Sequence, residues 1–158
     1  MFYRWKNDGP DPLEFIGVFS HHLWVLKQTD DFILYRVINE NPKLSEKDYN
    51  KLLWKYFQLD VSLPELYKQW ASADSKFANL TINDYKGIRM LEQDPIENLF
   101  SFICSSNNNI IRISQMVEKM CRFYGEPIAE FQGKTYYDFP KVEKLSGEEV
   151  EKKLREEM

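Results

Sequence analysis

The stretch Phe100-Ser-Phe-Ile-Cys-Ser-Ser-Asn-Asn-Asn-Ile-Ile-Arg112 joins two apolar segments through five consecutive small polar residues. Serine and asparagine side chains compete with the backbone for hydrogen bonds, so such a run favours helix caps and turns over a helix interior. The stretch therefore predicts a helix, a short polar loop and a second helix. Asn107, Asn108 and Asn109 would stand at the mouth of the second helix, where exposed backbone amides favour an anion such as phosphate.

This pattern has two interpretations. It is typical of a helix-loop-helix element that meets nucleic acid, because asparagine amides can reach donors and acceptors on a partner. Serine and asparagine between two helices are, however, more often an ordinary capped connection. Arg112 favours the first interpretation, since a cation in the first turn opposes the helix dipole by about 0.3–1 kcal/mol unless it has a partner.

Helical patterns lie on both sides of the stretch. Asp94-Pro95-Ile96-Glu97 is a helix start, with a capping carboxylate, a proline at the first helical position and an acid in the first turn. The helix that follows is apolar almost all round, which predicts that it is buried. Its large apolar residues are Leu99, Phe100, Phe102 and Ile103. The second helix is predicted from Ile110 to Tyr124, where Gly125 ends it.

The remainder of the chain indicates strands followed by helices. Apolar runs rich in β-forming residues predict strands at 15–19, 23–29 and 32–38, and the period becomes helical after Pro42. Ser45 and Ser62 are each predicted to cap a helix. A further helix is predicted over 75–85, an irregular segment over 131–140 and a charged last helix over 150–158. The pattern predicts an α+β protein, with an antiparallel sheet and helices followed by further helices.

Composition limits the classes of function. Hydrophobic residues make up 43% of the 158 residues, which is enough for a core. The net charge of −4 lacks the basic surface that DNA-binding proteins usually carry, so affinity for phosphate backbone should be modest. No apolar run is long enough to cross a membrane, and no signal peptide is recognised. Cys104 and Cys121 are expected to be reduced core thiols, and neither a metal site nor a cofactor is expected.

The string around the asparagines resembles, nearly residue for residue, a loop of the eukaryotic 8-oxoguanine DNA glycosylases, and the resemblance extends over most of the chain. The segments that carry it are Arg4-Trp5, Trp24 with Gln28-Thr29, Tyr56 to Val61, Leu66-Tyr67, Trp70, Asp74-Ser75, Gly87, Gln93 to Glu97 and Met116 to Glu118. It implies a TATA-binding-protein-like N-terminal domain over residues 1–84. It further implies that residues 85–158 are the first helices of an all-α helix-hairpin-helix glycosylase domain.

The resemblance also implies roles for the loop. Enzymes of this family flip the damaged base out of the duplex and fill the gap that it leaves. Asn107 would enter the gap and Arg112 would help to read the unpaired cytosine, while Asn108 and Asn109 would form the loop and contact the DNA backbone. The implied partner is double-stranded DNA with 8-oxoguanine opposite cytosine. The protein is expected to act as a monomer, in the nucleus and also in the mitochondrion.

The catalytic residues of the family lie outside the resemblance. The family uses a lysine that forms a Schiff base with the sugar, assisted by an aspartate, in and after a helix-hairpin-helix with a Gly-Val-Gly-like turn. No such turn occurs in the sequence, and Lys152 and Lys153 are interpreted as a solvated face. No catalytic residue is therefore assigned, and these 158 residues alone are expected to be inactive.

Three interpretations of the whole chain follow. The first is an 8-oxoguanine DNA glycosylase and AP lyase, given as an N-terminal fragment, splice product or incomplete gene. The second is a non-enzymatic truncated isoform with weak damaged-DNA binding. The third is a plain α+β interaction module with a capped loop, against which the match of the asparagine string argues.

Overall fold

Four antiparallel strands form a sheet in the order in which they occur in the chain, and a two-stranded hairpin follows much later. The strands of the sheet are β1 (Trp5–Lys6), β2 (Glu14–Phe19), β3 (His22–Gln28) and β4 (Ile33–Val37). The hairpin consists of β5 (Pro127–Phe131) and β6 (Lys134–Tyr137). The structure is a computed structural model, which describes residues 4–7, 9–78 and 87–157.

Helices complete the fold. Those whose bounds both fall in the described residues are α1 (Glu46–Tyr56), α2 (Leu63–Ala73), α3 (Pro95–Cys104), α4 (Ile110–Tyr124) and α5 (Glu148–Glu157). A single 3-10 turn covers Val142–Leu145. Residues 75–78 are also helical, but the rest of the helix predicted over 75–85 lies outside the described residues. The predicted α+β class is confirmed, since β2, β3 and β4 and the helices occur close to where the sequence patterns place them, while β1 was not predicted.

Contacts divide the chain into two compact units, Met1–Asn41 together with Asp94–Met158, and Pro42–Gln93. The first unit contains the sheet, the hairpin and helices α3 to α5, while the second contains α1 and α2. The predicted domain boundary between residues 84 and 85 lies outside the described residues and stays a prediction. None of the described helices is both long and apolar enough to cross a membrane.

In the second unit, hydrogen bonds that involve side chains hold the start of α1 and the segment that follows it. At the start of α1, the backbone amide of Ser45 donates to the carboxylate of Asp48 at 2.9 Å, which confirms the predicted cap. After α1, the Arg89 guanidinium donates to the carbonyl oxygens of Gln58 at 3.0 Å and Val61 at 2.9 Å. Both carbonyls lie in the segment after α1, so the two bonds fix the Arg89 side chain against that segment.

Two-residue turns close the β2–β3 hairpin and the β5–β6 hairpin. Ser20 and His21 have φ of 49° and 64°, and Gln132 and Gly133 have φ of 51° and 73°. A left-handed conformation at both central residues matches the right-handed twist of the flanking strands. Neither pair is the Asn-Gly or Asp-Gly pair that usually indicates such a turn, so the sequence gives a weak signal at both places.

The prediction of an irregular segment over 131–140 is wrong, because β6 lies within it and pairs with β5. The physical reason is tertiary packing. One face of the sheet has a buried apolar cluster, and the hairpin covers it. The cluster is Ile16, Val18, Leu23 and Val25, and the hairpin residues packed against it are Ile128, Ala129, Phe131 and Tyr136.

A second buried cluster lies between α3 and α4. Its members are Cys104, Ile113, Val117, Met120 and Cys121, with Phe100, Met116, Tyr137, Phe139 and Leu154 packed against it. The cluster joins α4 to one side of α3, to the end of the hairpin and to α5. The predicted core face of the second helix is therefore confirmed, as is the burial of both thiols.

The prediction that α3 is buried all round is wrong. Leu99 is 53% exposed, Phe102 74% and Ile103 59%. A helix buries only the faces that have neighbours, and α3 packs against α4 along the stripe that contains Ser101 and Cys104. The apolar composition of α3 shows only that its outer face could be buried. Whether another element packs against that face cannot be read from the composition.

The exposure of α3 can be tested by a pair of substitutions. Phe102→Ser should change the free energy of unfolding by less than about 0.5 kcal/mol, since an exposed side chain loses few contacts. Met120→Ala, in the buried cluster, should lower it by about 2–5 kcal/mol. Urea unfolding monitored by circular dichroism gives both values. A loss for Phe102→Ser as large as that for Met120→Ala would show that the outer face of α3 is buried.

Gly125 provides a second test of the fold. A Cβ atom at this position would overlap the main-chain carbonyl oxygens of Cys121 and Asp138, and main-chain atoms cannot move aside as the end of a side chain can. Gly125→Ala should therefore lower the free energy of unfolding by about 1–3 kcal/mol or more. Gly133→Asn is the control, because that site has open space and a positive φ that asparagine tolerates. Equal urea midpoints for both variants would contradict the close approach at Gly125.

Candidate nucleic-acid interface

The loop between α3 and α4 begins at a well-defined helix. The Asp94 carboxylate accepts from the backbone amides of Ile96 and Glu97, both at 2.9 Å, which confirms the predicted start of α3. At the other end, the Ser105 amide donates to the carbonyl of Phe102 at 3.0 Å and the helix stops. The next helix, α4, begins at Ile110, so the polar run forms the connection that the sequence predicts.

The three asparagines of the loop have three different environments. Asn107 is exposed and has a φ of 47°, in the left-handed region that asparagine tolerates better than most residues. Asn108 is half-buried, and its amide nitrogen donates to the carbonyl of Cys104 at 3.0 Å and to the sulfur of Met116 at 3.2 Å. Asn109 caps α4, since its side-chain oxygen accepts from the Arg112 backbone amide at 3.0 Å.

Arg112 lies in the first turn of α4 and is exposed, as is Asn107. The structure therefore places two of the four predicted contact residues at the surface of the same helix-loop junction. Asn109 is exposed as well, but its side-chain oxygen is engaged by the helix. Asn108 is the least accessible of the four. The assignment of DNA contacts to these residues stays a prediction.

The start of α3 is held by an interaction that sequence reasoning did not identify. Arg4 forms an ion pair with Glu97 at 3.3 Å, and its side chain is 11% exposed against 21% for that of Glu97. A second guanidinium nitrogen of Arg4 donates to the carbonyl of Tyr137 in β6. Burial raises the pKa of Glu97, and the charge and hydrogen bond of Arg4 oppose that rise. A buried glutamate three residues after a helix cap gives no sequence signal of its partner.

Two further groups near α4 differ in their chemistry. Burial raises the pKa of the Cys121 thiol to about 12, so this sulfur stays protonated and unreactive at neutral pH. Lys153, which was predicted to belong to a solvated face, is exposed but has its ammonium 4.6 Å from the ring centre of Phe123 and 5.7 Å from that of Tyr124. The lysine is therefore also a packing contact between α5 and α4.

Histidine contributes to structure at the β2–β3 turn. The His21 ring contacts the carboxylate of Asp138, and the His22 ring lies 3.3 Å from the carbonyl oxygen of Asn39. Within the described ranges 4–7, 9–78 and 87–157, no group of three or more histidine, cysteine or acidic side chains is placed to hold a metal ion.

Comparison with known proteins identifies the relatives of this chain. Residues 2–99 match a family model described as the N-terminal domain of 8-oxoguanine DNA glycosylase. The N-glycosylase/DNA lyase of Saccharomyces cerevisiae is 48% identical over 105 residues, which are 66% of this chain and 27% of that protein. The N-glycosylase/DNA lyase OGG1 of Arabidopsis thaliana is 34% identical over 147 residues, which are 91% of this chain and 38% of that protein.

Solved structures agree with these relatives. A structure of MBOgg1 in complex with a low-affinity DNA ligand superposes with a TM-score of 0.81 at 29% identity, covering 98% of this chain and 50% of that one. The Clostridium acetobutylicum 8-oxoguanine glycosylase/lyase, in complex with double-stranded DNA that contains cytosine opposite 8-oxoguanine, gives a TM-score of 0.79 at 26% identity. That match covers 97% of this chain and 50% of that one. The chain thus spans half of these solved chains and less of the curated relatives.

The burial of Glu97 generates a prediction about pH. Because its pKa is raised in the folded state from a usual value of 4.5, the folded protein binds this proton more tightly than the unfolded chain. The contribution of Glu97 to the free energy of unfolding is then largest in acid and is lost as pH rises through the raised pKa. The free energy of unfolding of the wild type minus that of Glu97→Gln should therefore decrease from about pH 4 to neutral pH.

Glu126→Gln is the matched control for this experiment. A hydrogen bond from Lys144 lowers the pKa of Glu126, so its contribution is present above the unfolded pKa and is lost as pH falls. Urea unfolding across the same pH series should give slopes of opposite sign for the two glutamates. A difference for Glu97→Gln that is flat, or that increases with pH, would contradict the burial of this carboxyl.

Proposed function

Because this chain belongs to the 8-oxoguanine DNA glycosylase family, we propose that it supplies the DNA-recognition part of a base-excision repair glycosylase and AP lyase. The proposed substrate is double-stranded DNA that contains 8-oxoguanine opposite cytosine. Both the family model and the solved relatives support this class, and one of those relatives is bound to DNA with that base pair. The proposed state is a monomer, in the nucleus and also in the mitochondrion, where DNA is present.

The exposure of Asn107 supports the assignment of the loop between α3 and α4 as the part that contacts DNA. Asn107 is exposed at a positive φ, directly before a pair of asparagines whose side chains are engaged by the protein. The same junction exposes Arg112 in the first turn of α4. A small polar side chain at the tip of the loop and a cation beside it match what a flipped-out base leaves behind, which is a gap in the stack and an unpaired partner base.

The chemistry of the two residues fits that task. A cytosine that has lost its partner exposes two acceptors on its pairing edge, and a guanidinium presents donors in a planar fork that can address both. Asn107 carries both a donor and acceptors, so it can replace part of the hydrogen bonding that the extruded base provided. We propose that Arg112 reads the unpaired cytosine and that Asn107 occupies the gap.

Electrostatics favour recognition by such specific contacts over general attraction. The net charge of the chain is −4, so counterion release on phosphate contact contributes little to affinity. Binding by these residues alone is therefore proposed to be weak. A non-enzymatic isoform that binds damaged DNA weakly is the second candidate function, and the acidic net charge is its supporting observation.

Substitution of Arg112 tests the proposed contact. Arg112→Ala should reduce the preference for cytosine opposite an abasic-site analogue by about 1–3 kcal/mol, because a bidentate base contact is lost. The measurement is a fluorescence-anisotropy titration of duplexes that differ only in the base opposite the analogue. Arg122→Ala is the matched control, since it removes the same charge from the same helix where the guanidinium lies 4.9 Å from the Phe123 ring centre.

The control variant should lower affinity for all duplexes alike, if it lowers it at all, and should leave the preference for cytosine unchanged. An unchanged preference in Arg112→Ala would remove Arg112 from the proposed site. An equal change of preference in both variants would show that charge, and not a base contact, is responsible.

Borohydride reduction tests whether the reacting amine of the glycosylase lies within this chain. We expect the 158 residues alone neither to excise 8-oxoguanine nor to become linked to lesion DNA, because a Schiff-base amine must be deprotonated by burial or by cationic neighbours. The hydrogen bond of Lys27 with Asp11 raises the pKa of Lys27, so this amine is held in its protonated form. A covalent adduct mapped to a lysine of this chain would show that the reacting amine lies within it.

A further inference from the structure

We infer that Asn108 is a positioning residue, which fixes the conformation of the loop for Asn107 and Arg112 and does not itself bind DNA. The inference rests on the proposed function of the loop and divides its residues into those that reach DNA and one that orients them. It replaces the sequence-based expectation that Asn108 contacts the DNA backbone.

The side-chain amide of Asn108 forms hydrogen bonds inside the protein. Its amide nitrogen donates to the carbonyl of Cys104 at 3.0 Å and to the sulfur of Met116 at 3.2 Å. A side-chain amide has two N–H donors, and both therefore have partners inside the protein. Phosphate oxygens only accept hydrogen bonds, so the Asn108 side chain has no donor left for the DNA backbone. Its half-buried position is consistent with this arrangement.

The two partners of the Asn108 amide belong to different helices. Cys104 is the last residue of α3, and Met116 is in the second turn of α4. One amide group thus holds the end of the first helix against the side of the second. The side-chain oxygen of Asn108 also accepts from the backbone amide of Asn109 at 2.9 Å. That bond fixes the residue that caps α4.

The consequence for the loop follows from chain geometry. Asn107 precedes Asn108 and has a φ of 47°, in the left-handed region that few residues other than glycine adopt. Asparagine can adopt it, so the bonds of the neighbouring residues decide whether it is populated. Asn108 is connected to Arg112 through Asn109, since the Asn109 side chain accepts from the Arg112 backbone amide at 3.0 Å. Asn108 therefore acts on both proposed contact residues through bonds to its neighbours.

Asn108→Leu tests the inference in the absence of DNA, because leucine has a similar shape and forms none of these hydrogen bonds. The readout is the NMR cross-peak between the Asn107 amide proton and its own Hα, which is strong only when φ is positive. We expect this cross-peak to weaken in Asn108→Leu and to weaken less in Met116→Leu, which keeps the volume and removes only the sulfur acceptor while the bonds to Cys104 and Asn109 remain. An unchanged cross-peak in Asn108→Leu would overturn the inference.

Binding to DNA gives an independent test through a double-mutant cycle. Asn107→Gly keeps the left-handed conformation accessible and removes the proposed contact group. If Asn108 acts through Asn107 and Arg112, the cytosine preference at the abasic-site analogue should fall about tenfold or more in Asn108→Leu. Adding Asn107→Gly to Asn108→Leu should then have little further effect, because the two residues are coupled. Additive losses would instead show that Asn108 contacts DNA independently, and would overturn the inference.

Misfolding of Asn108→Leu and the absence of any opposite-base preference each have a defined consequence. If Asn108→Leu does not fold, as judged by circular dichroism, then Asn108→Asp replaces it in both measurements, since aspartate keeps the oxygen acceptor and the shape but lacks both donors. If the wild-type chain shows no preference among opposite bases, the proposed function of the loop fails. The cross-peak of Asn107 then still decides whether Asn108 positions the loop.

Discussion

The partly buried ion pair between Arg4 and Glu97 holds together three parts of the chain that are distant in sequence. Arg4 precedes β1, Glu97 is in the first turn of α3, and the Tyr137 carbonyl that also accepts from Arg4 is at the end of β6. Removing two charges from water costs free energy, and that cost can exceed their attraction. The value of the pair therefore lies in position, because it sets where α3 begins relative to the sheet and the hairpin.

The loop depends on α3 being fixed at both ends. Its first turn is held by Arg4, and its last carbonyl, that of Cys104, is held by Asn108, while Cys104 packs into the cluster shared with α4. A helix fixed in this way leaves the five-residue connection little freedom. The positive φ at Asn107 is consistent with that constraint, because the left-handed region is uncommon even for asparagine.

Family membership and local geometry support different parts of the functional conclusion. The match over residues 2–99 establishes the family, and the solved relatives establish the fold to which the loop belongs. Neither assigns a role to a particular asparagine. The division between Asn107, which is exposed, and Asn108, whose donors are used within the protein, comes from hydrogen bonds alone. The acidic net charge is the reason why we propose DNA contacts by such groups and not a general attraction to phosphate.

The sequence by itself determined the features that depend on neighbouring residues. The caps of Ser45 and Asp94 bond to amides within three residues of themselves, so their signal is complete in a short segment. Strands β2 to β4, the end of α4 at Gly125 and the polar connection were predictable for the same reason. So was the exposure of Asn107 and Arg112 as polar residues at a helix junction.

The tertiary structure alone decided the features that depend on distant neighbours. The β5–β6 hairpin forms because the sheet presents an apolar face for it, and its turn lacks the usual glycine pair. The outer face of α3 is exposed because burial needs a neighbour as well as apolar side chains. The partner of Glu97 lies 93 positions away, and no local pattern identifies it. Asn108 differs from the asparagines beside it only because Met116 and Cys104 are brought within reach of its amide, and that proximity is a property of the folded chain.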